Sequence, residues 1–412
     1  MTLNGPLAEF APEIFELADT LEILDLSGNA LEALPEELPR LHKLRILFCS
    51  GNRFTELPTV LGRCPQLEMV GFKSNRIRRV SAAALPARLR WLILTDNEIE
   101  TLPPEIGRCH RLQKLALAGN RLRQLPAELA DCPRLALLRV SANRLEALPA
   151  WLPAMPRLAW LAFAGNPFCE ALERAALTDT PAPPIAWQDL VLHERLGEGA
   201  CGVIQRAAHH DGRGMAVKLF KGELTSDGWP RSEMAAWLRA GTHAHLIPVQ
   251  GRVVAHPAEI QGLVMPLIGP EFRALAGPPS LASCTRDVYA PALRFDAAAL
   301  LRLAGGIAAA VAQLHARGVT HGDLYAHNIL HRPDGRAYLG DFGAASLFGA
   351  AAAPAAQALQ RVEARAFGYL LEELLERCDG PAPDGARELQ QACLSERPDE
   401  RPLFAEIARR LA

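Results

Sequence analysis

Leucines recur along the first part of the chain at a nearly constant step. Leu21, Leu44, Leu67, Leu89, Leu112, Leu135 and Leu158 each open a segment, 23 residues apart except for 22 between Leu67 and Leu89. Eight positions after each start stands an asparagine (Asn29, Asn52, Asn75, Asn97, Asn120, Asn143, Asn166), and most segments continue with a Leu-Pro pair such as Leu34-Pro35 or Leu125-Pro126. A period of this length implies stacked units sharing one core, because a single unit cannot bury its apolar face alone. The leucines are expected to fill that core, and each asparagine to satisfy backbone groups where the chain leaves a short strand. The stretch Ala11 to Leu17, A-P-E-I-F-E-L, reads like the later half of a unit and is expected to cap the open end.

The spacing L-x-x-L-x-L-x-x-N-x-L resembles leucine-rich repeats, in which every unit adds a strand to a parallel sheet on a concave face. Alternation along such strands sends the residue before the second leucine outward: Ile23, Ile46, Met69, Trp91, Lys114, Leu137 and Trp160. The row is mostly apolar. Two readings stay open, packing along the sheet or a groove for a protein partner, and exposed Trp and Met in one row favour the groove.

The repeat fails after Pro167, and Thr178 to Pro184 (T-D-T-P-A-P-P) has the stiff, polar composition of an interdomain linker. This divides the chain into a repeat array over 1–176 (seven repeats plus a cap), a linker over 177–187 and a second domain over 188–412.

The second domain opens with Leu196-Gly197-Glu198-Gly199-Ala200-Cys201-Gly202-Val203-Ile204, a G-x-G-x-x-G pattern that is weak by itself. Ala216-Val217-Lys218 follows in an expected strand, the arrangement of a glycine-rich hairpin over phosphates with a lysine reaching them. That lysine needs an anionic partner; Glu233, in the helical stretch Ser232 to Ala240, is the best placed, with Glu223 a nearer rival. Downstream, His321-Gly322-Asp323-Leu324-Tyr325-Ala326-His327-Asn328 follows an expected helix over Leu300 to Ala316, and Asp341-Phe342-Gly343 comes after a turn at Pro333-Asp334-Gly335.

The order and spacing of these motifs resemble protein kinases, and the whole chain resembles leucine-rich-repeat protein kinases. The resemblance implies a multi-domain α/β and α+β protein, a repeat solenoid followed by a bilobal kinase domain that uses ATP and Mg2+. It implies that Asp323 orients the acceptor hydroxyl, that Asn328 and Asp341 hold magnesium, and that Lys218, paired with Glu233, contacts the phosphates. The nucleotide would lie against Leu196, Gly197, Gly199, Gly202 and Ile204, with Met265 as gatekeeper and the Ile268 backbone donating to the base. Pro266 then supplies only a carbonyl, so its missing N–H does no harm. Pro398-Asp399-Glu400-Arg401-Pro402 resembles the structural arginine motif near the end of the domain. The implied activity is serine/threonine-type protein phosphorylation, with the repeats recruiting a substrate or regulator. A small-molecule phosphotransferase of the aminoglycoside or choline type and a silent pseudokinase scaffold are the alternatives.

Three positions depart from that pattern. Gly322 replaces the arginine before the catalytic aspartate, Tyr325 replaces the lysine two residues after it, and His327 stands before Asn328. Ser346 is the only hydroxyl residue from 344 to 362, so activation by loop phosphorylation is not expected. Glu363 to Gly368 resembles the start of the large helix beyond, with glutamate in place of aspartate.

Composition narrows the partners. A formal net charge of −2 offers no electrostatic case for nucleic acid or an acidic membrane surface, and no uninterrupted run of eighteen apolar residues is present. Nine cysteines is an odd number, and Cys64, Cys109 and Cys132 occupy matching repeat positions, as buried fillers would. A reducing, cytoplasmic setting is the expectation. Cys201 is likewise read as a small loop side chain and not a reactive thiol.

Overall fold

The computed structural model of the chain describes every residue except Asn4, Pro181, Ala200, Glu223 and Ser226; the rival lysine partner Glu223 therefore lies outside the described residues. Internal contacts divide the chain into two compact units. The first holds 1–158 and 166–168; the second holds 159–165 and 169–412. The last repeat strand thus sits with the second unit.

Each repeat contributes one three-residue strand: β1 (Ile23–Asp25), β2 (Ile46–Phe48), β3 (Met69–Gly71), β4 (Trp91–Ile93), β5 (Lys114–Ala116), β6 (Leu137–Arg139) and β7 (Trp160–Ala162). In the first unit β1 to β6 pair in parallel and in sequence order, with Ile23, Ile46, Met69, Trp91, Lys114 and Leu137 in one register row. A 3-10 helix over Pro12–Leu17 buries Ile14 where the cap is expected.

The asparagines tie neighbouring repeats together. Asn120 accepts from the Ile99 N–H at 3.0 Å and donates to the carbonyls of Leu94 and Leu117, both at 2.9 Å; Asn52, Asn97 and Asn143 repeat the scheme. Each amide closes backbone groups that the turn out of the strand leaves unpaired. Burial pushes the Cys64 and Cys109 thiols up to about 11 and Cys132 to about 12, as expected of neutral fillers.

The outward row is less open than an exposed stripe. Ile23 is 41% exposed and Trp91 half-buried, but Ile46, Met69, Lys114 and Leu137 are buried. In-register residues on parallel strands stand about 4.8 Å apart and cover one another, and the Lys114 ammonium lies 4.4 Å from the centre of the Trp91 ring. Trp160 is the larger correction. It is 1% exposed and packs inside the second unit, so it offers nothing to a partner in solution.

The second unit begins with β7, then α1 (Glu170–Asp179) and β8 (Pro184–Ala186), so part of the expected linker is helix and strand. Next come β9 (Leu190–Glu198), β10 (Gly202–His209), β11 (Gly214–Phe220), α2 (Pro230–Ala240), β12 (Gly251–Val254) and β13 (Gly262–Pro266). They form a six-stranded sheet in the order β8-β12-β13-β11-β10-β9, antiparallel apart from β8 beside β12. Leu190, Ala207, Met215, Val217, Val253 and Val264 form its core.

A helical lobe follows: β14 (Arg273–Ala274), α3 (Ala297–Ala316), β15 (Val319–Thr320), β16 (Ile329–His331), β17 (Ala337–Leu339), β18 (Ser346–Leu347), α4 (Pro354–Leu375), α5 (Ala386–Cys393) and α6 (Phe404–Leu411). Asp296 caps α3 by accepting from the Ala299 N–H at 2.7 Å. Among the described residues α3 is the one helix long and apolar enough to cross a membrane, yet 56% of that window is buried, as in a core helix. Helix α4 begins at Pro354, nine residues before Glu363, because an alanine-rich run behind a proline at the first turn favours helix. Near the C-terminus the buried Arg401 donates to the Ser395 carbonyl at 2.9 Å and the Arg361 carbonyl at 3.3 Å, a structural role.

Candidate active site

Strands β9 and β10 pair antiparallel, and beside their junction the Gly199 N–H donates to the Gly202 carbonyl at 3.0 Å. A Cβ at Gly202 would lie 2.4 Å from the Leu219 carbonyl oxygen, so sterics demand glycine there. At Gly197 and Gly199 a Cβ would meet nothing within 4 Å. Those two glycines are not needed for packing and leave room for a ligand to reach the backbone.

Beneath this hairpin is a cleft of about 530 Å³, lined by Leu196, Gly197, Gly199, Gly202, Ile204 and Ala216 on one side and by Met265 to Pro270 on the other, with Lys218 and Asp341 also in its wall. All the nucleotide-contact residues expected from the sequence are therefore in one cavity. Met265 pairs with Ala216 in the adjoining strands, and Ile268 lies just past the end of β13.

Lys218 and Glu233 form a buried ion pair, and the Lys218 ammonium is 4.0 Å from Asp341. Burial alone would push the Lys218 ammonium down, but Glu233, then Asp341, outweigh it and hold the ammonium above its ordinary value. The lysine stays cationic. Trp237 of α2 stacks on Phe342 at 5.2 Å, and Phe342 packs against His321, whose Nε2 lies 2.8 Å from the Gly340 carbonyl. These contacts hold Asp341 in a left-handed backbone conformation (φ 51°) with its side chain 58% exposed toward the cleft.

Asn328 donates to both the carbonyl and the carboxylate of Asp323, each at 2.9 Å. The Gly340 N–H donates to the Asn328 carbonyl at 3.0 Å, which brings Asp341 beside this pair. Asn328 uses its Nδ2 in these bonds, which leaves its amide oxygen, with the Asp341 carboxylate, as the oxygen atoms that could hold a magnesium ion.

Two supports hold the loop from outside. Glu363 accepts from the N–H groups of His321 at 3.2 Å and Gly322 at 2.7 Å and lies 2.6 Å from His315 Nε2. Burial would push this carboxyl up; the His315 hydrogen bond, with His321 and the Gly322 N–H, holds it below its ordinary value. The buried Asp287 accepts from the His327 N–H at 3.1 Å and meets its Nδ1 at 2.7 Å, while His327 Nε2 is 3.9 Å from Asp323. Burial would lower the His327 imidazole, but the Asp287 hydrogen bond and the Asp323 charge hold it above its ordinary value. His327 is visible in the sequence as a departure; Asp287, 40 residues upstream in irregular chain, carries no signal there.

Cys201 is buried beside Thr225 Oγ1 at 3.4 Å, and burial followed by the Glu233 charge pushes its thiol well above the ordinary range, the opposite of activation. Ser346 is fully buried and cannot be reached by a modifying enzyme without local opening.

Residues 190–379 match the protein kinase domain model, and residues 87–145 and 20–41 match two leucine-rich-repeat models. Protein kinase domains in general use ATP and Mg2+, and leucine-rich repeats in general mediate protein–protein contacts. The cleft, its paired lysine and the stacked repeats thus belong to one recognisable arrangement: the chain carries N-terminal leucine-rich repeats and a C-terminal protein kinase domain, the architecture of a leucine-rich-repeat kinase.

Proposed function

We propose that the chain is an ATP- and magnesium-dependent protein kinase of the serine/threonine type, passing the γ-phosphate to a protein hydroxyl. The observation that carries this reading is the buried Lys218–Glu233 pair facing Asp341 in the glycine-roofed cleft, with Asp323 and Asn328 joined to it through Gly340. In this reading Lys218 orients the α- and β-phosphates, and Asn328 and Asp341 hold magnesium, which supplies charge neutralisation of the phosphates when bound. Asp323 accepts or orients the acceptor's hydroxyl proton. Met265 and Ile268 border the base, and the repeats recruit the substrate or a regulator, with Ile23 and Trp91 the accessible members of the outward row.

The test is phosphotransfer from γ-labelled ATP with magnesium, offered casein beside choline and kanamycin as acceptors. Label on serine or threonine of casein, or of the chain itself, is the expected result. Label only on a small molecule would assign the site to small-molecule phosphotransfer. Nucleotide binding without transfer would leave a scaffold.

A further inference from the structure

Two of the departures from the kinase pattern, Gly322 and Tyr325, meet at one place, and what they meet is β7. Gly322 has φ +72°, and a Cβ there would lie 2.9 Å from the Leu161 carbonyl oxygen and 2.4 Å from that of Ala344. An arginine side chain has no room beside that backbone. Trp160 donates from Nε1 to the Leu324 carbonyl at 3.2 Å, and its ring stacks on Tyr325 at 4.3 Å and 4° and on Tyr369 of α4 at 5.5 Å and 15°. Residues immediately before and after Asp323 are therefore in contact with one strand. The same strand end holds the segment after Asp341: the N–H groups of Phe163 and Ala164 donate to Ser346 Oγ at 2.9 and 3.1 Å.

The chain that follows reaches the other half of the cleft. Buried Glu173 of α1 accepts from the Gly165 N–H at 2.7 Å and from Ser232 Oγ at 2.9 Å. Ser232 is the residue before Glu233, the partner of Lys218. One segment of 15 residues, 159–173, thus grips the catalytic loop at one end and the helix bearing Glu233 at the other.

We propose that this segment, the end of the repeat array, is a built-in positioning clamp of the kinase site, with Trp160 setting Asp323 and Glu173 setting the Lys218–Glu233 pair. The inference rests on the phosphotransfer reading above. It gives the chain a fixed internal anchor for the catalytic loop where no arginine and no accessible loop hydroxyl is present. Trp160 and Glu173 touch neither acceptor nor nucleotide; they act through the residues they hold.

The test uses the full chain and the acceptor labelled by the unaltered protein. Trp160→Ala should lower kcat by roughly ten- to hundredfold, the scale of a misplacement of about 1 Å at a reacting group, with KM for ATP held within about twofold. Trp160→Phe, which keeps a ring on Tyr325, should restore most of the rate. Glu173→Ala should do the reverse and raise KM for ATP. Hydrogen exchange should quicken at Gly322 to Tyr325 in Trp160→Ala and leave β11 protected. Should Trp160→Ala fail to fold, Tyr325→Ala serves in its place, with the same kcat loss and unchanged KM for ATP expected. Normal kcat in Trp160→Ala or its substitute, or loss of kcat and ATP affinity together in Trp160→Phe, would reduce the contact to ordinary packing and overturn the proposal. An unaltered protein that labels no acceptor sinks the phosphotransfer reading itself, and the clamp with it.

Discussion

The repeat array and the kinase cleft both depend on buried polar side chains, but they distribute that dependence differently. In the array one hydrogen-bonding scheme recurs, each asparagine reaching a carbonyl one repeat back, as Asn120 reaches Leu94 and Asn143 reaches Leu117. The loss of one link leaves its neighbours intact, because contacts in a stack run only between adjacent units. In the cleft each link occurs once. Lys218 has Glu233, the N–H groups of His321 and Gly322 have Glu363, and Asn328 has Asp323. Periodic structure spreads a load, whereas a site assembled from distant segments concentrates it.

Perturbing each region separately sharpens the contrast. Asp323→Asn should have the largest effect, cutting phosphotransfer by about 10²- to 10⁴-fold as loss of a general base does, while the rise in Tm on adding ATP and magnesium stays that of the unaltered protein. A normal rate in this variant would remove Asp323 from the chemistry. Lys218→Met should erase most of that ATP-dependent rise in Tm, and it leaves Glu233 buried without its cation, a destabilisation of about 3–5 kcal/mol by urea unfolding. Full nucleotide stabilisation in Lys218→Met would break the assignment of the cleft.

Glu363→Gln should destabilise the second unit by roughly 2 kcal/mol near neutral pH, since two N–H groups and His315 lose a charged acceptor. The carboxyl's folded pKa lies below its unfolded value, so its stabilisation is complete above the unfolded value and is lost as pH falls through the folded one. The Tm gap between the unaltered protein and Glu363→Gln should therefore narrow on acidification below the ordinary glutamate range. A gap that widens there would reverse the sign of the argument. The smallest effects belong to the array. Asn120→Ala, at a buried link, should cost about 1–2 kcal/mol, and Asn29→Ala, at the half-buried end, less. Unfolding of the whole array by Asn120→Ala, followed by circular dichroism, would contradict the picture of a shared load.

The array was legible because its physics is local. Leu21 to Asn29 and their six later counterparts encode strand, core and turn in nine-residue phrases, and repetition multiplies the signal. The proposed catalytic residues were legible for another reason: the chemistry of phosphate and magnesium needs particular side chains at short fixed spacings, as in Asp323 to Asn328 and Asp341 to Gly343. Asp287 carried no such mark, since its partner His327 is reached only through the fold.

What the sequence determined by itself was the repeat period, the order of the kinase motifs and the two departures at Gly322 and Tyr325. It did not determine the surface on which Trp160 lies. Alternation along a strand says that Trp160 points out of the repeat core, and that holds whether the side it faces is water or protein. Tertiary structure decided for protein, stacking the indole on Tyr325 and Tyr369 and giving its N–H to the Leu324 carbonyl. The physical reason is distance along the chain: periodicity records which face a side chain takes, while burial against a segment 164 residues away depends on where the folded chain returns.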